Sequence, residues 1–261
     1  MIHFNKINKA MIGLTLAGLL GIGGLISGLF SSRIQAALTL PPYSKTNPMQ
    51  IAAKSTPPVT TQPSPTPPGM LAQDTFLRAD QKLWGTASDG QTWSGDANQS
   101  NAFTIFGATG QIAGNGTFNA LLGPPSANIQ VVISGSTNSF AHGHSNFGAV
   151  LRWTNDENWY KAYIDGSNLI VIKRVNGVIS RLGVVSYAAQ GGISYTLRFG
   201  VVGSALFAKV WRTSTAEPAD WMLSPVDASL PSGQGGIRVL LQNGVVIRIT
   251  AFLETTAATT M

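Results

Sequence analysis

From Ile129 onward, apolar side chains fall at every second position. Ile129, Val131 and Ile133 alternate with polar or small residues, as do Ala149, Leu151 and Trp153. Further runs are Trp159–Ile164, Leu169–Val175, Val178–Val185, Tyr195–Val202, Leu206–Arg212, Ile237–Leu241 and Val245–Leu253. In a strand, successive side chains point to opposite faces, so a period of two predicts strands buried on one side. Turn signals separate the runs: Asp165-Gly166, Asn176-Gly177, Gly191-Gly192 and Asn243-Gly244. The short Asn-Gly and Asp-Gly connections favour hairpins with positive φ in the turn. No helical period is visible after Phe103. Many short strands at this spacing predict an all-β, antiparallel jelly-roll sandwich.

The chain before the strands has a different character. Ala10–Phe30 carries no charge and follows Lys6 and Lys9. As a helix it would span roughly 32 Å, one hydrocarbon core, with its N-terminus held in the cytoplasm by the basic flank. Two expectations stand for residues 1–36: a signal peptide cleaved after Ala36, or a permanent membrane anchor. Nine of the fourteen prolines then fall between Pro41 and Pro68. Proline has a fixed φ and no backbone donor, so residues 37–72 are expected to form a disordered, extended stalk of at most about 110 Å. The sandwich is expected over 73–255, with a disordered tail at 256–261. Both readings of the N-terminus place the sandwich outside the cytoplasm, tethered or secreted.

Charge distribution narrows the partners. Residues 1–73 hold five basic and no acidic side chains, whereas Asp74 onward holds twelve basic and eleven acidic ones. Five of the six net positive charges therefore belong to the leader and stalk. Nucleic-acid binding needs clustered Lys and Arg on the domain itself, so it is not expected. With no cysteine, disulfides, thiolate catalysis and Cys-based zinc sites are excluded.

Particular residues add a resemblance. Asp74-Thr75-Phe76-Leu77-Arg78 is followed by Trp84-Gly85-Thr86-Ala87 and Gly90-Gln91-Thr92-Trp93. Later come Tyr195-Thr196-Leu197-Arg198, Lys209-Val210-Trp211, Glu217-Pro218-Ala219-Asp220-Trp221 and a closing strand with Phe252. In this order the chain resembles the concanavalin A-like (laminin G-like) sandwich domains of bacterial exported proteins. The resemblance implies that the first and last strands are neighbours, with Phe76 and Phe252 in the core. It implies little about function, because such folds host many.

Catalysis finds no support. Retaining glycoside hydrolysis needs two carboxylates about 5 Å apart. The related glucanases place theirs on one strand as Glu-x-Asp-x-x-Glu, and no such run occurs here. The three glutamates are Glu157, Glu217 and Glu254; Glu157 and Glu217 read as solvated turn acids. Nucleophile-elbow, phosphate-loop and dinucleotide fingerprints are absent. His142-Gly143-His144 has metal-ligand spacing but reads as a loop without a third ligand. Asp96-x-Asn98-x-Ser100 matches the first half of a calcium loop and lacks its Gly and Glu. No metal site or cofactor is therefore expected, with a structural calcium left open.

The binding expectation comes from strand faces. Trp159, Lys161 and Tyr163 share one face, which the lysine predicts to be wet. Phe207, Lys209 and Trp211 share another, and Arg152 projects opposite Leu151 and Trp153. Aromatic planes beside polar donors suit a sugar, whose apolar ring face stacks while its hydroxyls take the donors. The expected platform is Arg152, Trp159, Lys161, Tyr163, Lys209 and Trp211, which requires the two strands to share a sheet. The alternatives are a structural or protein-interaction module whose lysine stems merely cover the sandwich, and a glycoside hydrolase on the same fold. Trp84, Trp93, Trp153 and Trp221 read as core or rim.

Overall fold

A computed structural model describes residues 69–258 of the chain. The hydrophobic segment, most of the stalk and the last three residues lie outside the described residues. Fifteen strands follow one another: β1 (Met70–Asp74), β2 (Gln81–Lys82), β3 (Ser94–Gly95), β4 (Phe103–Phe106), β5 (Thr109–Ala113), β6 (Gly116–Ser126), β7 (Ile129–Thr137) and β8 (Phe147–Asn155). The remainder are β9 (Asn158–Ile164), β10 (Asn168–Val175), β11 (Val178–Ser186), β12 (Ser194–Val202), β13 (Ala205–Arg212), β14 (Gly233–Leu241) and β15 (Val246–Thr256). The protein is an all-β sandwich of two antiparallel sheets. One sheet has eight strands in the order β13-β12-β7-β15-β5-β4-β2, with β1 also on β15. The other has seven, in the order β11-β10-β9-β8-β14-β6-β3.

The core follows directly from the alternation. Ile129, Val131 and Ile133 of β7 and Tyr160, Ala162 and Ile164 of β9 share one buried core with Leu197, Phe199, Ile237, Val239 and Ile249. β1 pairs with β15, Asp74 opposite Phe252, so the first and last strands are neighbours. Phe76 and Phe252 are both buried and both pack on Trp93. The buried carboxylate of Asp74 ties this corner together. It accepts from the Trp93 indole (2.7 Å), the Phe76 amide (2.8 Å) and the Arg78 guanidinium (2.8 and 3.0 Å). A sandwich that begins at Met70 takes in residues that composition alone assigned to the stalk, because β15 offers them an edge. At the other end β15 runs to Thr256, one residue into the expected tail.

Turn chemistry separates hairpins from corners. Asn176 and Gly177 both have positive φ (49° and 82°) and close the β10–β11 hairpin. Asn243-Gly244 reads as a hairpin in the sequence but joins β14 to β15, which lie in different sheets. The same two-residue turn thus serves as a corner, since Val246 pairs with Ala113 of β5 instead of folding back on β14.

The calcium-like and His-x-His motifs are absorbed into the scaffold. Asn98 accepts from the Gly85 amide (2.6 Å) and donates to the Trp93 carbonyl (2.7 Å), while Asp96 accepts from the Asn119 amide (2.8 Å). His142 sits at positive φ in a short 3-10 turn, Ala141–Gly143. Among the described residues, no three His, Asp or Glu side chains are grouped to hold a metal.

Candidate functional site

The expected platform divides into two. β9 belongs to the seven-stranded sheet and β13 to the eight-stranded one. Trp159, Lys161 and Tyr163 therefore point away from the core on one side of the sandwich, and Lys209 and Trp211 on the other. They cannot line a common groove.

The first of these faces is filled, not wet. Trp159 is 2% exposed and Lys161 4%. Register explains why: Val150 of β8 and Ile172 of β10 flank Lys161, and Leu121 of β6 completes an apolar row. The Trp153 ring lies parallel to Trp159 (6.5 Å between centroids, 7° between planes). Arg238 of β14 crosses over both rings, its guanidinium carbon 4.5 Å from the Trp159 centroid and 5.2 Å from that of Trp153. The guanidinium donates to the Asn119 carboxamide and stands 3.8 Å from Asp156 in the β8–β9 turn. Burial, partly offset by Asp156, lowers its pKa to about 10.

Among the described residues no carboxylate pairs with Lys161. Its stem runs across Gly148, where a Cβ would come within 2.9 Å of its Cε, and its ammonium donates to Asn146 Oδ1 (2.7 Å) over the Tyr163 ring (4.7 Å). Burial, and then the nearby Arg238, pull its pKa well below the usual lysine value. Arg152 stands elsewhere again. It takes positive φ (49°) where the register of β8 slips, and its guanidinium donates to the carbonyls of Ala127, Gly203 and Leu230 (2.6–3.0 Å). Every one of those acceptors is a loop backbone, so Arg152 pins three loops and has no role on either face.

The opposite face is only partly covered, Lys209 being buried while Phe207 and Trp211 are half-buried. Phe207, Lys209 and Trp211 stand on the outer side of β13. Trp221, in the segment after β13, folds over this strand and meets Phe207 (5.3 Å between centroids, 35°). That segment is held by edge pairing: Ala208 and Leu223 exchange backbone hydrogen bonds (2.9 and 3.0 Å). Lys209 lies over the other part of Trp221 (4.6 Å), donates to the Pro218 carbonyl (2.7 Å) and pairs with Glu217 (2.8 Å). Arg198 donates to Glu217 as well (2.8 Å). Burial raises the Glu217 pKa, but these two cations outweigh it and hold the carboxyl below the usual range. Glu217 is therefore the hub of a charge network and not a free turn acid.

Beside this network Gly200 sits in register between Phe207 and Gln130, across three adjacent strands. A side chain at Gly200 would stand 3.4 Å from the Phe207 ring and 3.5 Å from Gln130 Cβ. Close by is a cavity of about 300 Å³, walled by Phe207 and Trp221 and lined by Gln130, Val202, Ala205 and Thr256. Trp221 is 37% exposed at the mouth. The reading of the sequence assigns Trp221 to core or rim and passes over Gln130. The segment around Trp221 has no periodicity, and Gln130 acquires meaning only through its register with Gly200.

No protein-family model matches the chain, and no curated protein matches it. Among solved structures, it is similar to a xylan beta-1,4-xylosidase from Bacillus halodurans C-125, with TM-score 0.54 and 11% identity over 76% of this chain and 41% of that one. It is similar to the GH43 protein BlXynB from Bacillus licheniformis, with TM-score 0.50 and 12% identity over 70% of this chain and 39% of that one. It is also similar to the carbohydrate-binding module CBM66 from Bacillus subtilis, with TM-score 0.49 and 13% identity over 74% of this chain and all of the module. The chain spans about two fifths of the two enzyme chains. At such identities the likeness shows a shared sandwich fold.

Proposed function

We propose that this is a non-catalytic carbohydrate-binding sandwich of the concanavalin A-like (laminin G-like) kind, presented outside the cytoplasm by residues 1–36 as anchor or cleaved leader and by the stalk over 37–72. The observation that carries the binding reading is the Phe207–Trp221 cavity. Its volume, about 300 Å³, suits a sugar unit, and it combines two aromatic walls with the Gln130 carboxamide and the Thr256 hydroxyl. Lys209 and Arg198 are engaged by Glu217 and no charged residue lines the cavity among the described residues, so it favours an uncharged pyranose. No carboxylate lines it among the described residues, and hydrolysis would need two. The xylan-directed name of one similar structure sets the first probe.

Xylohexaose and cellohexaose, titrated with the indole N–H signals followed by NMR, are expected to shift Trp221. Trp221→Ala and Phe207→Ala are expected to weaken binding at least about tenfold. Equal binding by wild type and Trp221→Ala would remove the cavity from the site. Release of reducing sugar by the wild-type protein would overturn the non-catalytic reading. N-terminal sequencing of the mature protein distinguishes a released sandwich from a tethered one. A structural or protein-interaction module is the second reading, favoured by the filled face over Trp159 and Lys161.

A further inference from the structure

The outer face of the seven-stranded sheet concentrates positive charge. Strand register puts Arg174 opposite Trp159 and Arg181 opposite Ile172, which is itself opposite Lys161. Arg174, Arg181 and Lys161 therefore share the face that Arg238 crosses. Three arginines stand there besides the buried Lys161; Asp156, 3.8 Å from Arg238, and Asp96 offset that arginine, and Glu157 approaches Arg174 beside Gly177. Asp96 lies at the rim, already accepting from the Asn119 amide, and Glu157 and Asp165 sit in the turns at opposite ends of β9. The opposite sheet treats its cations differently, closing Arg198 and Lys209 on one glutamate. Among the described residues Arg174 and Arg181 take part in no salt bridge, and neighbouring arginines without a paired acid favour an external anion.

We infer that this face binds an anionic sugar polymer, one bearing uronate or sulfate groups, across Arg174, Arg181 and Arg238. The cations decide the charge, and their spacing decides that the ligand is a chain. Arg181 on β11 and Arg238 on β14 are four strands apart. At about 4.8 Å per strand that is roughly 19 Å, too far for one small anion to bridge. Trp153, partly exposed beside Arg238, presents a ring to stack on a sugar. Ile179 and Val184, exposed on the same side of β11, add apolar contact for sugar C–H faces. Arg174 and Arg181 keep accessible guanidinium groups, which take carboxylates or sulfates bidentately. The inference goes beyond the cavity reading and uses none of its residues.

The test is titration of the sandwich with a galacturonate decamer at low and moderate salt. Binding is expected in about 20 mM NaCl and at least about tenfold weaker in about 300 mM. The double variant Arg174→Gln/Arg181→Gln, with an unchanged melting temperature, is expected to lose at least about tenfold in affinity. Trp221→Ala is expected to bind the decamer as wild type does, which separates this face from the cavity. Absence of binding at low salt, or binding indifferent to the double variant, overturns the inference. So does equal affinity for a DNA duplex or for phosphatidylglycerol vesicles, since charge without sugar would then suffice.

Discussion

The two outer faces of the sandwich start from the same ingredients and end differently. Each places a lysine between aromatics on alternate positions of a strand: Trp159-x-Lys161-x-Tyr163 on one, Phe207-x-Lys209-x-Trp211 on the other. Lys209 lies on the edge strand of its sheet, where the returning segment delivers Glu217, Pro218 and Trp221. Its charge is neutralised and the indole is held open at the mouth of a cavity. Lys161 lies in the middle of its sheet, with strands on both sides. Its neighbours are side chains of the sheet itself, which close over Trp159 and supply a carboxamide instead of a carboxylate. Position in the sheet, not residue type, decides whether an aromatic–lysine pair stands beside a cavity or is packed over by its neighbours.

The largest test of how this sandwich carries charge lies between the faces. Glu254 of β15 is fully buried, its carboxyl against Gly123 and Gly235, where a Cβ at Gly235 would come within 2.3 Å of Oε2. Among the described residues neither oxygen has a hydrogen-bond partner, and burial pushes its pKa up to about 8. The folded state thus binds a proton that the unfolded chain releases near pH 4.5. Stability is expected to be full below that pH and to fall as pH rises to about 8, by an amount on the order of 5 kcal/mol at most. Glu254→Gln is expected to remove this slope from chemical denaturation measured between the two limits. An unchanged slope would mean that the carboxyl is not the titrating group.

Next in size is the direct contrast between the two tryptophans. Trp159→Ala empties a packed position and leaves the Asp156 carbonyl without its indole donor (2.9 Å), so a loss of about 3–5 kcal/mol is expected. Trp221→Ala removes a ring that is one-third exposed and is expected to cost about 1 kcal/mol while abolishing cavity binding. Similar losses for both would erase the distinction between packed ring and cavity wall.

The lysines give a smaller, signed difference. Because the folded-state pKa of Lys161 is depressed, the unfolded chain holds more protons over the window up to about 10.5. Stability from this group therefore grows as pH rises towards that value and is lost as pH falls, opposite in sign to Glu254. In a Glu254→Gln background, Lys161→Met is expected to flatten the alkaline limb of the melting-temperature profile. The smallest effect belongs to the neutralised face: Glu217→Gln is expected to cost about 1 kcal/mol, diminishing with salt, since the network is partly solvated.

Much of this architecture is legible in the alternation. β9 through β13 begin and end within one residue of the apolar runs, because a strand buried on one face must show a period of two. β14 begins four residues before its apolar run, at Gly233, because glycines write no pattern. β2 and β3, two residues each, are too short to write one. Face parity correctly grouped Trp159 with Lys161 and Phe207 with Lys209. It could not assign those strands to different sheets, since corners and hairpins use the same Asn-Gly turn. Arg238, flanked by the core residues Ile237 and Val239, is outward by parity, yet its reach to Trp153 and Trp159 depends on which strands adjoin β14.

Taken alone, then, the sequence determined the all-β class, the limits of β9 through β13, the inward side of the strands whose alternation is unbroken and the absence of disulfides, because local spacing and composition dictate those. Tertiary structure alone decided that Lys161 is buried with a carboxamide, that Lys209 meets Glu217, and that Phe207, Trp221 and Gln130 line one cavity. Those outcomes depend on which distant strands become neighbours. Pairing is set by the whole pattern of burial and turns across the sandwich, so no single stretch of the chain encodes it.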